Sequence, residues 1–132
     1  MPVLVDSNVI LDVTNDDSVW ADWSDAQISA LQPAGLLVNP LIYTELCAGA
    51  DSASDVDNVL TELKLEFREL SHEALFLAAQ AFLKYRRQGG TKTAPLPDFF
   101  IGAHAEVLGI PILTRDQGRY KTYFPNVALI CP

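Results

Sequence analysis

The sequence predicts an α/β domain built on a mostly parallel five-stranded sheet with helices on its faces, and three observations predict it. Five short apolar or alternating runs, at residues 2–6, 35–39, 65–69, 111–114 and 127–131, have the length and composition of strands. Segments with helical spacing fill the gaps between them. Short strands that alternate with helices pair in parallel and leave the helices to cover the sheet.

Taken in order, Val3-Leu4-Val5 forms the first strand and Asp6 ends it, with a helix beginning near Asn8. Asp16-Asp17 caps a helix from Ser18 to Leu31, in which Trp20, Trp23 or Ser24, Ile28 and Leu31 share one stripe. The strand at 35–39 runs into Asn39-Pro40, which opens a short helical stretch containing Glu45. Residues 53–64 form a weaker, more polar helix before the strand at 65–69. The strongest helical pattern follows Ser71, with Leu75, Ala78, Ala81 or Phe82, and Tyr85 at helical spacing, and stops at Gly89-Gly90. Leu96-Pro97-Asp98 starts another helix, whose apolar face uses Phe99, Phe100, Ala103 and Val107 before Gly109 ends it. The strand at 111–114, a turn at Asp116-Gln117-Gly118 and the strand at 127–131 complete the chain.

Composition bounds the class. At 132 residues, 49% hydrophobic and 20% charged, the chain suits one domain over residues 1–132 with a single core. The first apolar stretch lacks a preceding basic region and is cut by Asp6, unlike a signal peptide, and no run is long enough for a membrane span. Cys47 and Cys131 make no disulfide framework and lack the paired spacing of a zinc site, so a reducing, cytoplasmic setting is expected.

A net charge of −8 speaks against nucleic acid as a partner, because phosphate contacts come from Lys and Arg. The distribution changes that reading. Residues 1–83 hold two bases against fourteen acids, whereas residues 84–121 hold seven bases against three acids. Lys84, Arg86, Arg87, Lys92, Arg115, Arg119 and Lys121 make this segment either a solvated helix end and turn or a phosphate-binding rim.

Four acids, Asp6, Glu45, Asp98 and Asp116, stand where an apolar segment changes into something else. Asp6 and Asp116 follow buried strands, so both project from strand carboxyl ends, where open α/β sheets place ligands. Asp98 lies in the first turn of its helix, where the helix dipole favours the ionised carboxylate. Each has an ordinary explanation alone, as a cap, a turn residue or a solvated side chain. Gathered together, four carboxylates repel unless a hard cation joins them, which makes a divalent-metal site the economical reading.

Other designs fit these residues less well. Ser7 as a nucleophile needs a base, and His104 lies six residues after Asp98, about 240° around that helix. His72 reads as a surface residue and Cys47, two positions from Glu45, as small core filler. No phosphate-cradling glycine motif is present. A receiver-like module requires an acceptor Asp after the third strand and a Lys after the fifth, but Glu69-Leu70 and Pro132 stand there.

The segments Asp6-Ser7-Asn8-Val9-Ile10, Tyr43-Thr44-Glu45-Leu46, Pro97-Asp98 through Ala105, and Leu113-Thr114-Arg115-Asp116, in this order and at these separations, resemble PIN-domain ribonucleases, most closely the VapC toxins of type II toxin-antitoxin pairs. The resemblance covers essentially the whole chain. It implies a three-layer PIN-like domain with the first strand central, and a pocket in which Asp6, Glu45, Asp98 and Asp116 bind Mg²⁺ or Mn²⁺. Ser7, Asn8 and Thr114 would support that pocket. The implied activity is RNA phosphodiester hydrolysis by a metal-activated water, with Arg115, Arg86, Lys84 and Arg119 contacting RNA phosphates. Oxygen-only ligands suit these ions better than zinc. The resemblance also implies a VapB-type antitoxin and a homodimer, for which Trp20, Trp23 or Tyr123 would serve as exposed contacts. Asp12, one helical turn beyond Asn8, is expected to be an ordinary helix-end acid or at most an outer support of the pocket. The competing reading is a catalytically degenerate PIN-like module that binds Mg²⁺ or nucleic acid without cutting it.

Overall fold

Val3, Leu4 and Val5 are all buried, although successive side chains of a strand point to opposite faces, so β1 (Val3–Val5) is covered on both sides. In the computed structural model, which describes residues 1–94 and 96–132, this strand is the centre of the sheet. It pairs in parallel with β2 (Leu36–Val38) on one side and β4 (Ile112–Leu113) on the other. β3 (Leu65–Phe67) extends the first side and β5 (Leu129–Ile130) the second, giving the order β3-β2-β1-β4-β5 with every pairing parallel. Leu4 stands in register with both Leu37 and Ile112.

The strands are two or three residues long, shorter than the apolar runs that announce them. Their ends leave the ladder because their side chains start helices. Asp6 accepts from the Ser7 amide and opens α1 (Ser7–Thr14), while Asn39 accepts from the Leu41 and Ile42 amides and opens α3 (Pro40–Cys47). Between these lie α2 (Ala21–Leu31) and a 3₁₀ turn at Gln32–Ala34. Asp17 caps as expected, accepting from Val19 and Trp20 amides at 2.9 Å, but it closes a separate turn, so α2 begins at Ala21 rather than Ser18.

Further along come α4 (Ala53–Leu63), α5 (His72–Arg87), α6 (Pro97–Leu108) and α7 (Gly118–Tyr123). Helix α5 packs along α6, and its buried residues are Ala74, Ala78 and Ala81. Small side chains let the two helices approach closely and turn Leu75, expected in the core, outwards. Helix α6 is flanked by α3, α5 and α7, so Phe99, Ile101, Gly102, Ala103, His104 and Ala105 are buried nearly all round it, while Phe100 and Val107 are only half-buried. A Cβ at Gly102 would stand 2.2 Å from the Phe124 ring, so that position has no room for a side chain. Gly109 ends the helix with φ of 67°, the left-handed conformation that glycine adopts without strain. Helix α7 was not expected from the sequence, where only its opening turn is apparent. Among the described residues no helix is long and apolar enough to cross a membrane.

Candidate functional site

Parallel pairing of β1 with β4 puts their carboxyl ends at one edge of the sheet. From β1 the chain moves to β2 and β3 on one side and later to β4 and β5 on the other, so this edge is the topological switch point. Asp6 leaves β1 there, and the loop Thr114-Arg115-Asp116 leaves β4 beside it. Glu45 arrives on α3, which follows β2. Asp98 arrives in the first turn of α6, which precedes β4.

Asp6 is the deepest of the four acids, 5% exposed, and three donors hold its carboxylate. The Ser7 amide donates to Oδ1 at 2.8 Å, while the Thr114 and Tyr120 hydroxyls donate to Oδ2, each at 2.9 Å. Burial pushes the Asp6 carboxyl above its ordinary range, and these hydrogen bonds pull against that rise. The same burial, with the neighbouring Asp6 charge, drives the Tyr120 hydroxyl far up, so it acts as a donor. Asn8 ties the second strand end to the first: its Nδ2 donates to Thr114 Oγ1 at 3.3 Å and its Oδ1 accepts from the Arg115 amide at 3.2 Å. The Asp116 amide donates to Thr114 Oγ1 at 3.1 Å, and the exposed Asp116 carboxylate accepts from the Gly118 amide at 3.1 Å.

The remaining acids feel this centre electrostatically. Burial and then the charge of Asp6 raise both Glu45 and Asp98. Asp98 is partly compensated by Arg119, whose Nη1 lies 3.5 Å from Asp98 Oδ2 and whose guanidinium lies 5.7 Å from the Tyr85 ring. Arg119 thus reaches into the acidic mouth instead of standing wholly outside it.

Arg115 departs further from expectation. Its guanidinium binds Asp12 with two bonds, Nε to Oδ2 at 2.7 Å and Nη2 to Oδ1 at 2.9 Å, and lies 5.2 Å from the Trp20 ring. Asp12 is 4% exposed and also accepts from the Ser24 hydroxyl at 2.7 Å. Charge-assisted, bidentate pairing occupies the cation that the sequence assigned to RNA phosphate. Asp12, far from an ordinary helix-end acid, is the buried anchor of that pair. Asn8 and Asp12 lie four residues apart on one face of α1, so the helix grips the loop carrying Asp116 at two points.

Lys84 and Arg86 are exposed, and Arg86 Nη1 donates to the Lys92 carbonyl at 2.7 Å. His72 is exposed and Cys47 packs at the edge of the core. His104 is buried, where Asn39 Nδ2 donates to its Nδ1 at 3.2 Å. Trp20, Trp23 and Tyr123 are half-buried, not exposed, and Tyr123 packs against Tyr85 and Phe99. Sequence reasoning missed Tyr120. Its signal was the spacing of Tyr120 and Phe124, both buried and one helical turn apart just after the expected turn.

The donor chemistry fits a hard divalent cation. All four acids supply oxygen, and among the described residues Glu45 Oε1 is a buried acceptor at the cluster with no hydrogen-bond partner, although a hydrogen bond from the Ser7 hydroxyl helps the carboxylate as a whole. Among the described residues, no three carboxylate, imidazole or thiol side chains are already drawn into a single coordination shell.

A parallel α/β fold with acids converging at its switch point defines a class of acid-centred domain, and the PIN domain model matches residues 3–125. The chain belongs to the PIN-domain family. Its fold is similar to those of several solved structures. With VapBC2 from Rickettsia felis bound to a DNA fragment from their promoter, the TM-score is 0.78 at 17% identity, over 100% of this chain and 99% of that one. With VapBC-1 from nontypeable Haemophilus influenzae it is 0.71 at 14% identity, over 99% and 98%. With FitAcB from Neisseria gonorrhoeae it is 0.69 at 18% identity, over 98% and 96%. A search of curated proteins found no match.

Proposed function

We propose that the chain is one PIN-like domain acting as a divalent-metal-dependent endoribonuclease, the VapC-type toxin of a toxin-antitoxin pair in the cytoplasm. The observation that carries this reading is the convergence of Asp6, Glu45, Asp98 and Asp116, from four different elements, on the switch-point edge of a PIN-family sheet. These four would hold Mg²⁺ or Mn²⁺, which when bound supplies Lewis acidity at phosphorus and a more acidic water.

The chain's own residues then have separate tasks. Ser7, Thr114 and Tyr120 fix the Asp6 carboxylate, and Asn8 fixes the loop that presents Asp116. Glu45 Oε1 offers a free acceptor. Arg119, Lys84 and Arg86 line the basic side from which RNA phosphates approach, whereas Arg115 is committed to Asp12. A VapB-type antitoxin is the proposed partner, because structures of similar fold include a toxin-antitoxin complex and a member of the VapBC family of toxin-antitoxin systems, and an acidic mouth accepts a basic side chain.

The test is cleavage of total cellular RNA by the purified chain with Mg²⁺, Mn²⁺ or EDTA, beside Asp6→Ala. Discrete fragments that need the metal and vanish in the variant are expected. A folded, metal-binding, antitoxin-free chain that leaves RNA intact would replace this reading with a catalytically degenerate binding module.

A further inference from the structure

An open cleft of about 390 Å³ lies against the acidic mouth, lined by Tyr85, Asp116, Gly118, Arg119, Thr122 and Tyr123. That volume falls within the roughly 300–1,000 Å³ of small-ligand sites. Asp116 belongs both to the cleft and to the acids at the sheet edge, so the two spaces are continuous. Arg119 spans them, with its Nη1 3.5 Å from Asp98 Oδ2 and its guanidinium 5.7 Å from the Tyr85 ring. Gly118 brings no side chain into the opening beside Asp116, while Tyr85 and Tyr123 supply an aromatic wall.

The two rings are not equivalent. Tyr85 stacks on Phe82 at an interplanar angle of 26° and has Arg119 against it. Tyr123 is half-buried and meets Phe99 and Tyr85 at 65° and 72°, so among the described residues no ring lies parallel to it. Its capacity for stacking is unused.

Charge argues for what fills the cleft. The chain carries a net charge of −8 and has Arg115 tied to Asp12, which leaves Lys84, Arg86 and Arg119 as a thin basic side for phosphates. Affinity for a single strand must then come in good part from its bases, which stack on aromatic rings and arginine planes. Lys84 and Arg86 are the exposed sequence neighbours of Tyr85, so the basic side and the aromatic wall meet at one turn of α5. An aromatic residue of a protein partner would make no use of those flanking cations.

We propose that this cleft is a nucleobase subsite, in which an unpaired base of the RNA strand, next to the phosphate at the acidic mouth, stacks on Tyr123 beside Arg119. The subsite deepens the ribonuclease reading and takes its occupant from that reading.

Fluorescence anisotropy tests it with a labelled, unpaired ten-nucleotide RNA containing all four bases and an abasic strand of the same length and phosphate count, in EDTA so that neither is cut. The unmodified chain is expected to bind the base-containing strand at least roughly fivefold more tightly, the effect of one stacked base. Tyr123→Leu should remove that difference while leaving abasic binding and the salt dependence of the affinity unchanged, and Tyr123→Phe should keep it. Thr122→Leu, which crowds the cleft from an exposed position, should act like Tyr123→Leu and decides alone should that variant fail to fold. Strands that bind alike, or not at all, would overturn the proposal and leave the cleft to a protein side chain. Leucine variants that still distinguish the two strands would overturn it as well. Cleavage of total RNA is read separately: base-dependent binding without cleavage ends the nuclease reading and keeps the subsite, whereas cleavage by a chain that ignores bases ends the subsite and keeps the nuclease.

Discussion

The Tyr120 hydroxyl stands 2.9 Å from Asp6 Oδ2, joining residues 114 positions apart in the deepest part of the acidic mouth. With Thr114 on the same oxygen, it turns the carboxylate so that Oδ1 retains capacity beyond the Ser7 amide. Hydrogen-bond partners of a ligating carboxylate typically matter 10–100-fold for metal affinity. Tyr120→Phe should therefore weaken Mn²⁺ binding, measured by titration calorimetry, by roughly 10–100-fold. In an Asp6→Asn background the same change should matter little. An equal loss in both backgrounds would mean that the hydroxyl supports the fold and not the ligand.

Arg115 gives the second prediction. Removing it leaves Asp12 buried with only the Ser24 hydroxyl as partner. Breaking a buried pair from one side costs about 3–5 kcal/mol, and the partial exposure of Arg115 places Arg115→Ala at the lower end of that range. Urea unfolding measures it. RNA affinity, measured under conditions where the variant is folded, should fall for Lys84→Ala and Arg86→Ala but hold for Arg115→Ala. A stable Arg115→Ala chain with lost RNA binding would return Arg115 to the phosphate rim.

His104 sets a pH dependence. The Asn39 carbonyl oxygen is occupied capping α3, so its amide nitrogen must face His104 and requires Nδ1 to accept. Burial, and then Arg68, lower the His104 pKa in the folded chain. A histidine whose folded pKa is depressed contributes full stability above its ordinary value of about 6.5 and loses it as pH falls below that value, by at most about 1.4 kcal/mol per pH unit. Asp6, Glu45 and Asp98 act in the opposite sense, because their folded pKa values are raised and falling pH relieves them. The histidine term is isolated by comparison with His104→Gln. Between pH 6.5 and 5.5 the unmodified chain should lose stability relative to that variant in urea titrations, and parallel curves would refute the assignment.

The strands and the acids at their ends were legible in the sequence because both are local signals. Val3-Leu4-Val5 is continuously apolar because β1 is buried on both faces, and Asp6 and Asn39 announce helix starts by their side-chain chemistry. Leu75 and Phe76 misled or went unread because a helical pattern gives a period, not which of two apolar stripes the neighbour covers. Only α6, packed along α5, decides that Ala78 faces inwards and Phe76 outwards.

By itself the sequence determined an alternation of short strands and helices and the strand-end placement of Asp6 and Asp116, since each follows from residue type and spacing along a few consecutive positions. The tertiary structure alone decided that Arg115 belongs to Asp12, that Tyr120 reaches Asp6, and that Glu45 Oε1 is left without a partner among the described residues. Those outcomes depend on which elements become neighbours across more than 100 residues and on a few ångströms of side-chain reach, and neither quantity is encoded in local period or turn chemistry.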